Sequence, residues 1–136
     1  MREELRGPAV ENVAVAVIQQ LNEFNEKVYY VYLLNLRDDI MEGIIVTSKG
    51  YGHNPNSGER VETSMLRHSL EVLLPNEAAK IEPIMEDVFG LANEFLVSFW
   101  IDGKLYDKKF VFVPESISVE TMKKIPLLGE VGVMIK

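Results

Sequence analysis

Residues 93–113 read NEFLVSFWIDGKLYDKKFVFV, and the reading of that stretch decides the fold class. Asp102-Gly103 separates two runs rich in aromatic and β-branched residues. Asp-Gly tolerates the positive φ angles of a type I′ turn, whose twist matches that of the strands it joins. The stretch is therefore expected to be a hairpin, 93–101 against 104–113, ended by Pro114.

Outward from the hairpin, the dominant period remains two. In residues 13–18 (VAVAVI) the β-branched side chains recur at alternate positions, giving one face of large residues. Residues 27–36 (KVYYVYLLNL) put Val28, Tyr30, Tyr32, Leu34 and Leu36 on one face. The other face, with Tyr29, Val31 and Leu33, is nearly as apolar. A further strand is expected over 40–48, and the polar Arg37-Asp38-Asp39 before it suggests a hairpin between the two. Residues 49–59 (KGYGHNPNSGE) hold three of the nine glycines and read as a polar loop in which the glycines form turns. Residues 60–72 alternate weakly and switch faces between Met65 and Leu66, as a bulge or a bend between sheets would make them do. Leu74-Pro75-Asn76-Glu77 is a turn, and Pro83 within the strand expected at 79–85 assigns that strand to a sheet edge. Ser118 stands where it can cap a short helix over 119–124, stopped by Pro126, and 129–135 reads as a small closing strand or ordered tail.

About seven short strands punctuated by turn residues predict an all-β fold. The expectation is an antiparallel, immunoglobulin-like β-sandwich with one short C-terminal helical turn; the alternative is a small β-barrel. Residues 1–136 are expected to form one such domain, with 114–136 as a helical turn and tail packing on it. Because 27–36 and 95–101 are apolar on both faces, something must cover the second face: the C-terminal tail, the N-terminal segment or a second copy of the chain.

Composition narrows the function classes. The chain has 136 residues, enough for one domain that buries roughly two-thirds of its unfolded surface. It is acidic, with a formal net charge of −7, and so lacks the basic footprint that nucleic-acid binding normally needs. With no cysteine, disulfide frameworks, thiolate metal sites and cysteine nucleophiles are excluded. The start, Met1 to Pro8, mixes both charge signs and has no signal-peptide pattern. No apolar run approaches the roughly 20 residues of a membrane helix. A cytoplasmic location without membrane contact is the expectation.

The residues that carry chemistry are few. His53 and His68 lack the mutual spacing of metal ligands, and Ser48, Ser57, Ser64 and Ser69 lie in no Gly-x-Ser-x-Gly elbow. Gly50-Tyr51-Gly52 lacks the third glycine of a dinucleotide fingerprint. The carboxylate pairs Glu3/Glu4, Asp38/Asp39 and Glu86/Asp87 read as solvated acids. On 104–113, alternation puts Tyr106, Lys108, Phe110 and Phe112 on one face, an aromatic-and-basic mixture like that of single-strand binders, read here first as a charged protective edge. No catalytic residue, metal or cofactor is expected.

Several stretches, KVYYVYLLN (27–35), IIVTSKGYG (44–52), TSMLRH (63–68), AKIEPI (79–84) and residues 93–112, resemble a group of short bacterial proteins. Some of these bear the label "phenylalanyl-tRNA synthetase subunit alpha". The likeness runs from about Val13 to the tail, and what it implies through that label is an ATP-dependent ligase or a factor connected with tRNA charging. Of that class's motifs, Arg60-Val61-Glu62 matches the Arg-x-Glu part, with Glu59 in the place of the aromatic residue. Pro55 stands where the glycine-rich motif would have its arginine. No active-site residue carries over.

The expected function is therefore a non-enzymatic module that binds itself, as a homodimer, or an unidentified protein. Its contact surface is expected at the apolar sheet around Tyr29, Tyr30, Tyr32, Phe99 and Trp100 and at the edge beside Pro83. The alternative is a small-molecule binder or enzyme with its site at the 51–60 loop, using Tyr51, His53, Arg60 and His68. A third reading is an accessory factor for tRNA charging.

Overall fold

The computed structural model describes residues 10–136; the Met1–Pro8 start and the Glu3/Glu4 pair lie outside them. Among the described residues ten strands follow one another: β1 (Val13–Leu21), β2 (Lys27–Asn35), β3 (Met41–His53), β4 (Arg60–Glu62), β5 (Leu66–Leu73), β6 (Glu77–Pro83), β7 (Ala92–Ile101), β8 (Lys104–Phe112), β9 (Lys123–Lys124) and β10 (Val131–Ile135). They form two antiparallel sheets. The first has the order β6-β2-β1-β10-β9. In the second, β3 pairs with β7 along one side and with both β4 and β5 along the other, and β8 lies beyond β7. The fold is all-β, and the sheets do not close into a barrel: β6, β9, the β4/β5 pair and β8 remain as edges. Pro83 ends edge strand β6, where its missing N–H breaks no ladder.

The hairpin at 93–113 forms as expected. Ile101 pairs with Lys104, and Asp102 and Gly103 have φ of 48° and 78°, the two positive angles that this turn demands. Alternation then turns Phe95, Val97, Phe99 and Ile101 inward, where they meet Val13, Val15, Val17, Val31 and Leu33 of the first sheet in one core.

The first sheet has a second, smaller core on its outer face. Ala14, Ala16 and Ile18 of β1 lie there with Tyr32 and Leu34 of β2, and the C-terminal segment covers them with Ile125 and Leu128. The two alanines explain how a chain segment comes so close: their short side chains leave room for the segment above them. At the edge of β1, Gly132 in β10 sits against the Val17 carbonyl, where any Cβ would collide with backbone.

Several expectations are corrected. Arg37-Asp38-Asp39 does not join a hairpin, because β2 and β3 belong to different sheets. The connection crosses between them and is organised by the fully buried Asn35. Its Nδ2 donates to the carbonyls of Asp39, Leu73 and Leu74 at 2.8, 3.1 and 3.2 Å, while its Oδ1 accepts from the Arg37 N–H at 3.0 Å. An amide that satisfies two turns from one position has no period to betray it.

The loop expected at 49–59 shrinks to 54–59, since β3 continues through His53. Gly50 and Gly52 are strand residues under close approach: a Cβ on them would stand 3.1 Å from Thr63 Cγ2 and 3.0 Å from Leu91 Cδ2. The face switch at Met65 and Leu66 is an interruption between β4 and β5, both of which stay on β3. The strand expected at 79–85 runs over Glu77–Pro83, and a 3-10 turn at Glu86–Val88 follows it. At the C-terminal end only a 3-10 turn forms, Val119–Thr121, and the Ser118 side chain makes no cap.

Candidate functional site

The five residues expected to share a contact surface do not share one. Phe99 is fully buried, Tyr29 is buried in the same core, and Tyr32 lies under the C-terminal segment. Tyr30 faces Lys80, whose Nζ stands 3.9 Å from the ring centroid. Only Trp100 is well exposed, at 44%, and it lies on the opposite sheet from the tyrosines. The cause is alternation: neighbours such as Phe99 and Trp100 point to opposite faces, so an apolar run on one strand serves two environments.

Trp100 belongs instead to the outer face of the second sheet. It pairs with Leu105 of β8, and Leu96 lies four residues earlier on the same face of β7, beyond Ser98; both leucines are also exposed. Gly43, with φ of 54° at the irregularity in the β3–β7 ladder, lets the indole lie against the backbone, with Cδ1 3.1 Å from where a Cβ would stand. Around this apolar strip, Glu94 lies 4.0 Å from Lys49 and 3.9 Å from Lys109.

The four loop candidates separate in the same way. His53 pairs with Arg60 at the open end of β3, and the Tyr51 hydroxyl reaches Glu94 at 3.4 Å. His68 pairs with Val46, seven residues down β3 from His53, or roughly 23 Å at about 3.3 Å per residue. The two histidines therefore do not converge on one pocket, which counts against a small-molecule site built from both. In the basic-aromatic mixture, Phe110 and Phe112 are buried and Tyr106 stacks on Phe99 with centroids 5.6 Å apart. These rings are not open to stacking bases.

What the sequence reading missed lies at the seam between the sheets. There β5 and β6, edge strands of opposite sheets joined by the turn at 74–76, run past each other. Glu82 Oε1 accepts a hydrogen bond from Ser48 Oγ at 2.8 Å and lies 3.0 Å from His68 Nε2. This joins β6 to β3 and β5 across the seam. Beside the cluster, the interruption between β4 and β5 leaves a cavity of about 230 Å³ walled by Leu66, Glu82, Ile84, Met85, Asn93 and Phe95, among others. The one signal available in the sequence was the face switch at Met65 and Leu66, which marks the gap but not what faces it.

Serine, histidine and carboxylate in contact do not make a nucleophile here. In a catalytic triad the imidazole stands between the hydroxyl and the acid, so that it can take the hydroxyl proton. Here the carboxylate stands in the middle and Ser48 donates to it, so the imidazole makes no contact that would activate the hydroxyl. Among the described residues no group of three or more His, Asp or Glu side chains could hold a metal ion. No helix among them is long and apolar enough to cross a membrane. No protein-family model matches the chain, and no curated protein matches it.

Proposed function

We infer that the chain is a non-enzymatic protein-interaction module that associates with a second copy of itself through the outer face of the second sheet. The supporting observation is an asymmetry between the two outer faces. That of the first sheet is covered by Ile125 and Leu128 of the same chain, whereas Trp100, Leu105 and Leu96 are left exposed on the other. A large exposed aromatic ring beside Leu105 at the hairpin end of β7, with charged side chains further along the same face, has the composition of an interface hot spot. Its rim carries both signs, Lys49 and Lys109 with Glu94 and Asp107, which suits a face that meets its own copy across a two-fold axis.

The architecture carrying this face is read as immunoglobulin-like. Strand order supports that reading: β1-β2-β6 opposes β5-β3-β7-β8, with the strand after the third staying in the third strand's sheet. Lettered in chain order, this is A-B-E against C′-C-F-G, a variation on the sheets of immunoglobulin domains. The pair β9–β10 is then an addition that extends the sheet beyond β1.

Trp100 is the single tryptophan and so reports on its own face. In a dilution series from about 1 mM downward, sedimentation is expected to show dimer giving way to monomer as the emission shifts to the red. The exposed-site variant Leu105→Glu is expected to stay monomeric throughout, with red emission. A wild-type chain that sediments as a monomer at every concentration, with unmoving emission, ends the reading.

A further inference from the structure

The seam cavity has a polarity that Ser48, His68 and Glu82 do not exhaust. Glu82 Oε1 is occupied by Ser48 and His68, but Oε2 has no hydrogen-bond partner among the described residues. Its side chain is 9% exposed. Asn93, 6% exposed, uses Nδ2 twice, donating to the carbonyls of Val88 and Leu91 at 3.0 and 3.1 Å, and no donor meets its Oδ1. Among the described residues no sealed side-chain oxygen lacks a partner, so these two acceptors keep accessible surface, and both residues line the cavity. Ser48, which holds Glu82, and Gly50, which pairs with Asn93, are two residues apart on β3, or about 7 Å.

Apart from the hydroxyl of the exposed Ser64, the cavity's own side-chain donors are committed elsewhere. Thr63 Oγ1 lies 2.7 Å from the Gly50 N–H it accepts from, and its hydroxyl turns to the Ser64 carbonyl at 3.2 Å. Lys49 contributes to the wall, yet its Nζ is on the outer face, 5.8 Å from the Tyr51 ring centroid and 4.0 Å from Glu94. Two buried acceptors, one a carboxylate oxygen, with the one uncommitted side-chain hydroxyl, that of Ser64, on an exposed residue, call for a ligand that brings hydrogen-bond donors and positive charge. The rest of the wall, with Leu66, Ile84, Met85, Val88 and Phe95, is apolar. A volume of about 230 Å³ has room for about eight waters at ~30 Å³ each, or one small organic molecule.

We propose that this cavity binds a small organic ammonium ion, with its charged head on Glu82 Oε2 and Asn93 Oδ1 and its apolar body against Phe95 and Ile84. Met85 and Leu66, both exposed at the rim, flank the entrance. The site is independent of the face around Trp100 and stands whether or not the chain self-associates.

Titration of the full chain with 2-phenylethylammonium, followed by amide NMR, tests it. Shifts are expected at Gly50, His68 and Asn93, with the neutral 2-phenylethanol binding at least about tenfold more weakly and phenylacetate not at all. Glu82→Gln, which keeps the side-chain shape and an acceptor for Ser48, is expected to reduce ammonium affinity by a similar factor. Met85→Trp, a change at an exposed residue that narrows the entrance, should also reduce it. Glu94→Gln on the outer face should leave it unchanged. Equal affinity for the alcohol and the ammonium ion, unaltered binding in Glu82→Gln, shifts centred on Glu94, or no binding by about 10 mM each overturns the proposal.

Discussion

Asn35 illustrates how much of this fold hangs on single polar side chains. It is wholly buried, and its amide holds three carbonyls and one N–H that belong to two different turns. Removing a partner from a buried polar group costs about 1–3 kcal/mol of desolvation for each group left unmet. The Leu74 carbonyl keeps its bond from the Glu77 N–H, and groups at the half-exposed 36–39 turn can turn to water, so Asn35→Ala is expected to lower stability by about 2–4 kcal/mol, read as a shift of the urea midpoint with unchanged slope. A loss below about 1 kcal/mol would mean that water reaches these carbonyls and that the crossover holds without the amide. Gly132 is a second case: its place in β10 depends on having no Cβ, because the strand lies directly on the Val17 carbonyl. The seam residues Ser48, Glu82 and His68 act at this scale too, each from a different strand.

At the scale of elements, the C-terminal segment decides how the two sheets differ. It ends in β10 on β1 and lays Ile125 and Leu128 over the alanines of that strand. Ile125 is buried at 4% exposure, and truncating such a side chain usually costs about 2–5 kcal/mol. Ile125→Ala is expected to fall in that range and to loosen the segment first, so that amide exchange quickens at Val131–Ile135 before it does in β7 and β8. Uniform acceleration across both sheets would show instead that the segment and the main core unfold as one unit. By contrast, β7 and β8 are joined by a two-residue turn and need nothing distant to find their register.

At the scale of the whole molecule, the pairing of β1 with β10 joins the two ends of the described chain, with Val15 opposite Ile135. Contacts between residues so far apart in sequence require long loops to close before any hydrogen bond or burial offsets them. Refolding from urea, followed by Trp100 emission, is expected on the order of milliseconds to seconds, as for other all-β domains. Microsecond refolding would mean that the distant pairings are not needed to reach the native environment of Trp100. The net charge of −7 acts at this scale as well, opposing close approach of two copies except where a face balances its own charges.

Local sequence determined the all-β class, the type I′ hairpin at 93–113, the edge position of the Pro83 strand and the lack of any cysteine chemistry. Each of these depends on a residue and its immediate neighbours: two positive φ angles at Asp102-Gly103, a missing N–H at Pro83, alternation within one strand. Only the tertiary structure decided which apolar face is buried and by what. Phe99 and Trp100 are adjacent apolar residues of one strand, yet one is in the core and the other is open to solvent, because alternation turns Phe99 toward the first sheet and Trp100 to the outer face of its own. The same holds for the seam. Ser48, His68, Glu82 and Asn93 come from four strands in two sheets, and no spacing along the chain encodes a meeting that depends on how the sheets pack.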